Sequence, residues 1–231
     1  FHFCAPAEVL LLDGDIPSSL SKQYGTIRKQ IDRFTLNGSG WTVDRVVSHT
    51  LHINQYKPLR GESYIKLPDW INNKKATINI QNEDDKCFIY CLGRRFDPQP
   101  ELDHLQRVSK HLKQVCDDLG FSKIKTPVTI QDIPKFEEVF GITINVFDHG
   151  KTAGIYPLYL TKTKINTDKH INMPVTSKEE NDAIKNHYIL IKDFDKLNCN
   201  KTTYHGKKHF CMNCIQSFTS DTILQNHIPN C

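Results

Sequence analysis

The last 21 residues constrain this chain more than any other stretch. Cys211 and Cys214 are separated by two residues, His227 follows after twelve more, and Cys231 after another three. The spacing C-x2-C-x12-H-x3-C is the ligand pattern of a small ββα zinc finger whose final histidine is replaced by cysteine. Two apolar positions agree with it: Phe218, four residues after Cys214, and Leu224, three before His227, stand where such a finger keeps its miniature core. About thirty residues cannot bury enough apolar surface to fold unaided, so the metal must supply the missing free energy. Structural zinc contributes roughly 10–16 kcal/mol near neutral pH, released only as the ligands close around it. Four protein ligands leave no open position for water, so the zinc is expected to be structural rather than catalytic. The competing account of the same residues is a disulfide pair with a stray histidine, and it needs a secreted setting that nothing in the chain suggests.

Counting back from His227, the helix positions that would face bases in a DNA-reading finger are Ser220, Ile223 and Asn226. Ile223 offers no hydrogen bond to a base edge, and one finger covers only about three base pairs. Lys201, Lys207 and Lys208 lie just ahead and could reach phosphates. The finger therefore reads as protein-binding, structural or weakly nucleic-acid-binding, with sequence-specific readout the lesser use.

The remaining composition narrows the class. A net charge of +4, from 30 basic and 26 acidic residues, is too mild to demand a nucleic-acid partner. The longest apolar run, Val9 to Leu12, is far too short to span a membrane. Of the eight cysteines, Cys4, Cys87, Cys91, Cys116 and Cys199 lie outside the finger, an odd set without the spacing of a disulfide framework. A reducing cytoplasm or nucleus is the expected compartment. Opening on Phe1 rather than Met, the chain reads as a piece of a longer polypeptide.

Periodicity predicts a helix over 18–34 with Tyr24, Ile27, Ile31 and Phe34 on one face, broken by Asn37 to Gly40. Val43, Val46, Val47, Leu51, Ile53 and Tyr56 predict strands over 41–56, and a turn follows at 57–61. Short strands are expected at 64–67 and 76–80, then a helical segment from Cys87 through Arg94. The strongest helix pattern runs from Glu101 to Leu119, with a stripe of Leu102, Leu105, Val108, Leu112, Val115 and Leu119. A second helix is predicted over 131–140, strands at 142–147, 156–160 and 187–192, a short one near Ile165, and a polar loop over 173–183. Helices followed by consecutive strands indicate an α+β fold.

Within that pattern Cys87 occupies the first turn of its helix. There, unpaired N–H groups and the positive end of the macrodipole favour a thiolate. His187 opens a later strand, with 99 residues between them. Papain-like enzymes bring thiol and imidazole together in this way. An ordinary buried cysteine is the plainer account. Gln81, six residues before Cys87, matches the spacing of papain's oxyanion glutamine.

Two resemblances bear on these residues. Asp84-Asp85-Lys86-Cys87-Phe88 with His187-Tyr188 resembles the D-x-x-C-[LF] and H-[YFW] signatures of OTU-type cysteine peptidases, many of which cleave ubiquitin. It implies Cys87 as nucleophile, His187 as general base and Asp84 as the residue shaping the oxyanion loop. Asp85 departs from the glycine usual after that aspartate, and Ile189 from the Asn or Asp common two residues after the histidine. The orienting third group is open among Asp148, Asn186 and Asp193. Asp193 lies six residues past His187, about 20 Å along a strand at ~3.3 Å per residue. More widely, Gly38 to Trp41, Tyr56 to Gly61, Tyr64 to Pro68, Lys74 to Ala76, Asn82 to Phe88, Ile144 to Phe147, Tyr156 to Leu158 and His187 to Lys192, then a finger, form an ordered series. It resembles the region ahead of the protein-primed family-B DNA polymerase of Maverick/Polinton elements. This implies a mobile-element origin but not a polymerase, since no D-T-D-type palm motif is present.

The expected architecture is a β-containing extension over 1–66, a papain/OTU-like α+β core over 67–200 with helices on a mostly antiparallel sheet, and a zinc finger over 201–231. The expected activity is that of a cysteine peptidase acting on ubiquitin or on its own polyprotein. The alternative is a non-catalytic zinc-finger module that binds nucleic acid or protein beside a polymerase. Weak nucleic-acid contact through the finger and no membrane contact complete the expectation.

Overall fold

The computed structural model describes residues 3–5, 8, 15–36, 42–51, 64–101, 103–150, 154–180, 183–198 and 207–231. They form two compact units, one from residues 1–57 with 206–231, the other from residues 58–205.

The second unit is α+β. Strands β2 (Thr143–Gly150), β3 (Gly154–Tyr159), β4 (His170–Glu180) and β5 (Ala183–Tyr188) form one sheet in the order β3-β2-β4-β5. β2 runs antiparallel to β3 and parallel to β4, and β4 runs antiparallel to β5. A separate antiparallel pair joins β1 (Thr77–Ile78) to β6 (Leu190–Ile191). The helices are α2 (Asp69–Asn72), α3 (Cys87–Phe96), α4 (Lys110–Asp118), α5 (Ile133–Phe140) and α6 (Phe194–Asn198).

Helix α3 runs through the middle of the core. Every residue from Cys87 to Arg94 is buried, and Phe88 meets Tyr188 edge to face at 5.1 Å between ring centroids. A helix so enclosed needs close neighbours. A Cβ built on Gly93 would meet the Cys116 sulfur at 2.5 Å, so only glycine lets α4 approach here. Gly141, at φ 60°, closes α5 and leads into β2.

Three expectations fail for identifiable reasons. The helix expected from Glu101 begins only at Lys110, where the Ser109 hydroxyl accepts the Leu112 N–H at 3.0 Å. Upstream, the buried Arg94 guanidinium takes the carbonyls of Leu105 at 3.1 Å and Arg107 at 2.8 Å, and pairs with Glu101 at 2.6 Å. Those bonds fasten a main chain that is not helical over 103–109. Of the loop expected over 173–183, residues 173–180 instead belong to β4 and pair antiparallel with β5 through main-chain bonds, Ser177 opposite Asn186. The strand expected at 41–56 is absent from residues 42–51, where Val43, Val46 and Val47 are all exposed. Apolar β-formers without a burying face do not make a sheet. Residues 64–67 form no strand, yet Ile65 and Leu67 are buried, and Ile165 lies in no strand. The expectations at Asn37 to Trp41, Ile53 to Gly61, Leu102, Cys199 and Lys201 lie outside the described residues.

In the first unit, α1 (Ile16–Leu36) covers the helix read from periodicity. Gln30 clamps the main chain of Cys4, accepting its N–H at 3.2 Å and donating to its carbonyl at 2.9 Å. The C-terminal segment is a ββα element of β7 (His209–Phe210), β8 (Ser217–Phe218) and α7 (Asp221–His227). No helix among the described residues is long and apolar enough to cross a membrane.

Candidate functional site

Cys211, Cys214, His227 and Cys231 converge, with their ligand atoms all within 4.8 Å of one another. The local sequence explains how. The Ile215 N–H returns to the Cys211 carbonyl at 2.7 Å, and the Cys211 N–H to the Gln216 carbonyl at 2.9 Å. This tight knuckle, with Ile215 at φ 60°, aims both thiols to one side. Ser220 caps α7 by accepting the Ile223 N–H at 3.3 Å, and the helix then presents His227. Buried Cys211, Phe218 and Leu224 form the small core.

The donor set fits a tetrahedral ion. Ligand arms of ~2.3 Å to sulfur imply sulfur–sulfur edges of about 3.8 Å and sulfur–nitrogen edges of about 3.6 Å. The structure has 3.8 Å between the Cys211 and Cys231 sulfurs, and 3.3 Å between the Cys214 sulfur and His227 Nε2. Three sulfurs and one imidazole are a donor set consistent with zinc. The Cys4 sulfur approaches the Cys214 carbonyl at 3.7 Å, so the N-terminal segment touches the knuckle from outside the ligand set.

The second candidate centre is Cys87, the first residue of α3. Its sulfur accepts the main-chain N–H of Tyr188 at 3.4 Å, the residue immediately after His187. Helix and strand thus bring the sulfur beside the main chain of the predicted base. The rings divide differently. Tyr188 packs on Phe88, and because successive strand side chains alternate, His187 points to the opposite face. There it meets the Tyr64 ring edge to face at 6.1 Å, and its Nε2 lies 2.8 Å from Asn79 Oδ1. Both Cys87 and His187 are fully buried.

Burial decides the state of the thiol. It pushes Cys87 up to about 12, the nearby Asp84 carboxylate adds to the rise, and the N–H groups of Tyr188 and Phe88 offset only part of it. The thiolate anticipated from the helix start does not form at neutral pH in this conformation.

Asp84 organises the loop before α3. Its carboxylate accepts the Lys86 N–H at 3.1 Å and the Tyr90 hydroxyl at 2.8 Å. The three orienting candidates are placed elsewhere. Asp148 accepts the Tyr156 hydroxyl at 2.9 Å, Asp193 accepts the Lys196 N–H at 2.8 Å at the start of α6, and buried Asn186 accepts the Ser177 hydroxyl at 2.6 Å. Gln81 bridges to Arg107.

The imidazole's partner, Asn79, was missed from sequence. Its amide orientation is fixed, because Nδ2 donates to the Ile65 carbonyl at 2.9 Å and so turns Oδ1 toward His187. Nε2 of the ring therefore donates to that oxygen. The one signal available was a polar residue set between Ile78 and Ile80 in a short strand, which names no partner. Comparison with protein-family models, with curated proteins and with solved structures finds no match for this chain.

Proposed function

We propose that this chain acts as a zinc-stabilised binding module in which the finger is a structural zinc centre that presents a protein-contact surface. The observation that carries the reading is the closed set of four donor atoms within 4.8 Å. Such a set fixes a fold rather than a reaction. On α7, exposed Ile223 beside Asp221 favours a protein partner over DNA, since an apolar side chain and a carboxylate at the helix start suit neither base edges nor phosphates. Metal analysis of the purified chain tests it. One zinc per chain is expected, lost in Cys231→Ser, together with no salt-dependent binding of a random DNA duplex. Zinc-free protein with an unchanged fold over 209–231 overturns the reading.

A second reading rests on a different observation, the Tyr188 N–H on the Cys87 sulfur beside the His187–Asn79 pair. It makes the second unit a cysteine peptidase of papain/OTU type, held closed in this conformation, with Asn79 orienting the base. A ubiquitin probe bearing a C-terminal electrophile discriminates the two. The module reading expects no adduct, whereas labelling of wild type but not of Cys87→Ala establishes the peptidase.

A further inference from the structure

We infer that a cavity of about 380 Å³ in the second unit binds a small amphipathic anion, its head on Arg95 and Lys192 and its apolar body on Ile78, Leu190 and Phe194. The volume lies within the range of small-ligand sites. The charge of the walls is one-sided, because no Asp or Glu lines the cavity. Arg94 contributes little net field there, being paired with Glu101 at 2.6 Å.

Arg95 is different. Its Nε donates to the His170 carbonyl at 2.8 Å and one Nη to the Thr167 carbonyl at 2.7 Å. These bonds hold the guanidinium still, yet no carboxylate among the described residues neutralises it. Two of its five N–H donors are engaged, and the others remain for a planar oxyanion. A cation already fixed in place loses little side-chain freedom on binding, which favours affinity. Lys192 is exposed at the rim and adds a second positive charge. His170 does not compete for the head. Its ring, neutral at pH 7, is engaged with Thr143 at 3.0 Å and Asn172 at 3.0 Å.

Part of the lining is apolar: Ile78, Leu190 and Phe194 come from β1, β6 and α6. A bare inorganic ion would leave that part unused. Two ligand sources share the required chemistry, namely a peptide C-terminus ending in an apolar residue and a phosphate monoester with an aromatic body. The plainer account of Arg95 is that it complements the C-terminal end of α3 and ties down the segment over 167–170. That account leaves the Lys192 charge beside this apolar lining without a role.

The test is an NMR titration of the full chain with N-acetyl-leucine, with phenyl phosphate and with the uncharged N-acetyl-leucinamide. Saturable shifts are expected at the amides of Arg95, His170 and Lys192 with at least one anion, and the tighter arm names the source. Lys192→Gln, which alters only an exposed side chain and keeps the urea midpoint, should weaken binding at least about tenfold, or about 1.4 kcal/mol. Arg95→Gln should weaken it further. Equal shifts from the neutral amide, unchanged affinity in both variants, or no saturation with either anion overturns the proposal.

Discussion

The chemistry of Cys87 can be put to a kinetic test with a disulfide reagent. With the thiol pushed up to about 12, roughly one molecule in ten thousand is ionised at pH 8. An ordinary thiol, with a pKa of about 8.5, is about one-quarter ionised there. The thiolate is the attacking species, so ionisation alone slows Cys87 by about 2,000-fold. Part of this is returned, because a more basic thiolate is a better nucleophile. At a Brønsted slope of about 0.45, a difference of about 3.5 pKa units restores about 40-fold. The net slowing is therefore about 50-fold, before any cost of opening the core to admit the reagent. The measurement compares site-resolved modification of Cys87, read by mass spectrometry, in the native and the urea-unfolded chain across pH 6–10. At pH 8 and below a native rate at least about 50-fold under the unfolded one is expected, the gap narrowing toward pH 10 as the native rate goes on rising. A native rate near the unfolded one at pH 8, or a native rate plateau reached below pH 8.5, would refute the reasoning. It would mean that a cation stabilises the sulfur against burial.

Other perturbations bear on other parts of the structure. Chelation should collapse the amide signals of residues 209–231 while those of α3 persist; retention of α7 in metal-free protein sinks the claim that metal supplies the finger's stability. His170 is buried and lowered to about 4 by desolvation, so its neutral form is favoured in the folded chain. Its contribution, on the order of 3 kcal/mol, is complete above pH 6.5 and is lost as pH falls through about 4. Thermal melts at pH 7 and pH 4.5 should show a drop that His170→Gln lessens, and an equal drop in both proteins counts against it. Arg94→Met strands the carbonyls of Leu105 and Arg107 and should cost about 3 kcal/mol in urea unfolding. Glu101→Gln, at the more exposed partner, should cost clearly less than Arg94→Met, and equal losses would contradict this division.

What the sequence disclosed was what short-range chemistry determines. Ligand spacing in the finger is set by a metal's reach, so Cys211 to Cys231 could be read directly. Helices α1, α3 and α5 and strands β2 and β3 followed from periodicity, because one buried face imposes it. The start of α4 was illegible because it depends on Arg94, a residue outside the helix whose guanidinium claims the carbonyls ahead of Ser109. The β4–β5 pair was hidden for the opposite reason: beyond the core its residues are polar, and main-chain pairing rather than burial holds them. Asn79 could not be found at all, since its meaning lies wholly in contact with His187, 108 residues away.

The same distinction explains why a helix start did not make Cys87 acidic. The dipole is worth about 0.3–1 kcal/mol, and up to ~2 in the best geometry. At about 1.36 kcal/mol per pKa unit, that is at most about 1.5 units. Complete burial of a thiolate costs more, and it outweighs the helix start and the Tyr188 N–H together, leaving the thiol at about 12. Sequence reveals the dipole because it needs only local order, but it conceals burial, which depends on Tyr188, Phe88 and the rest of the core closing over the sulfur. A reactive sulfur would need an adjacent positive charge. In this conformation the base that the OTU resemblance implies, His187, turns its Nε2 to Asn79 Oδ1 on the opposite face of the strand. Replacing Asn79 by leucine therefore separates the readings: an orienting asparagine makes the variant lose ubiquitin-probe labelling, whereas a structural one changes the urea midpoint and no labelling, because there was none to lose.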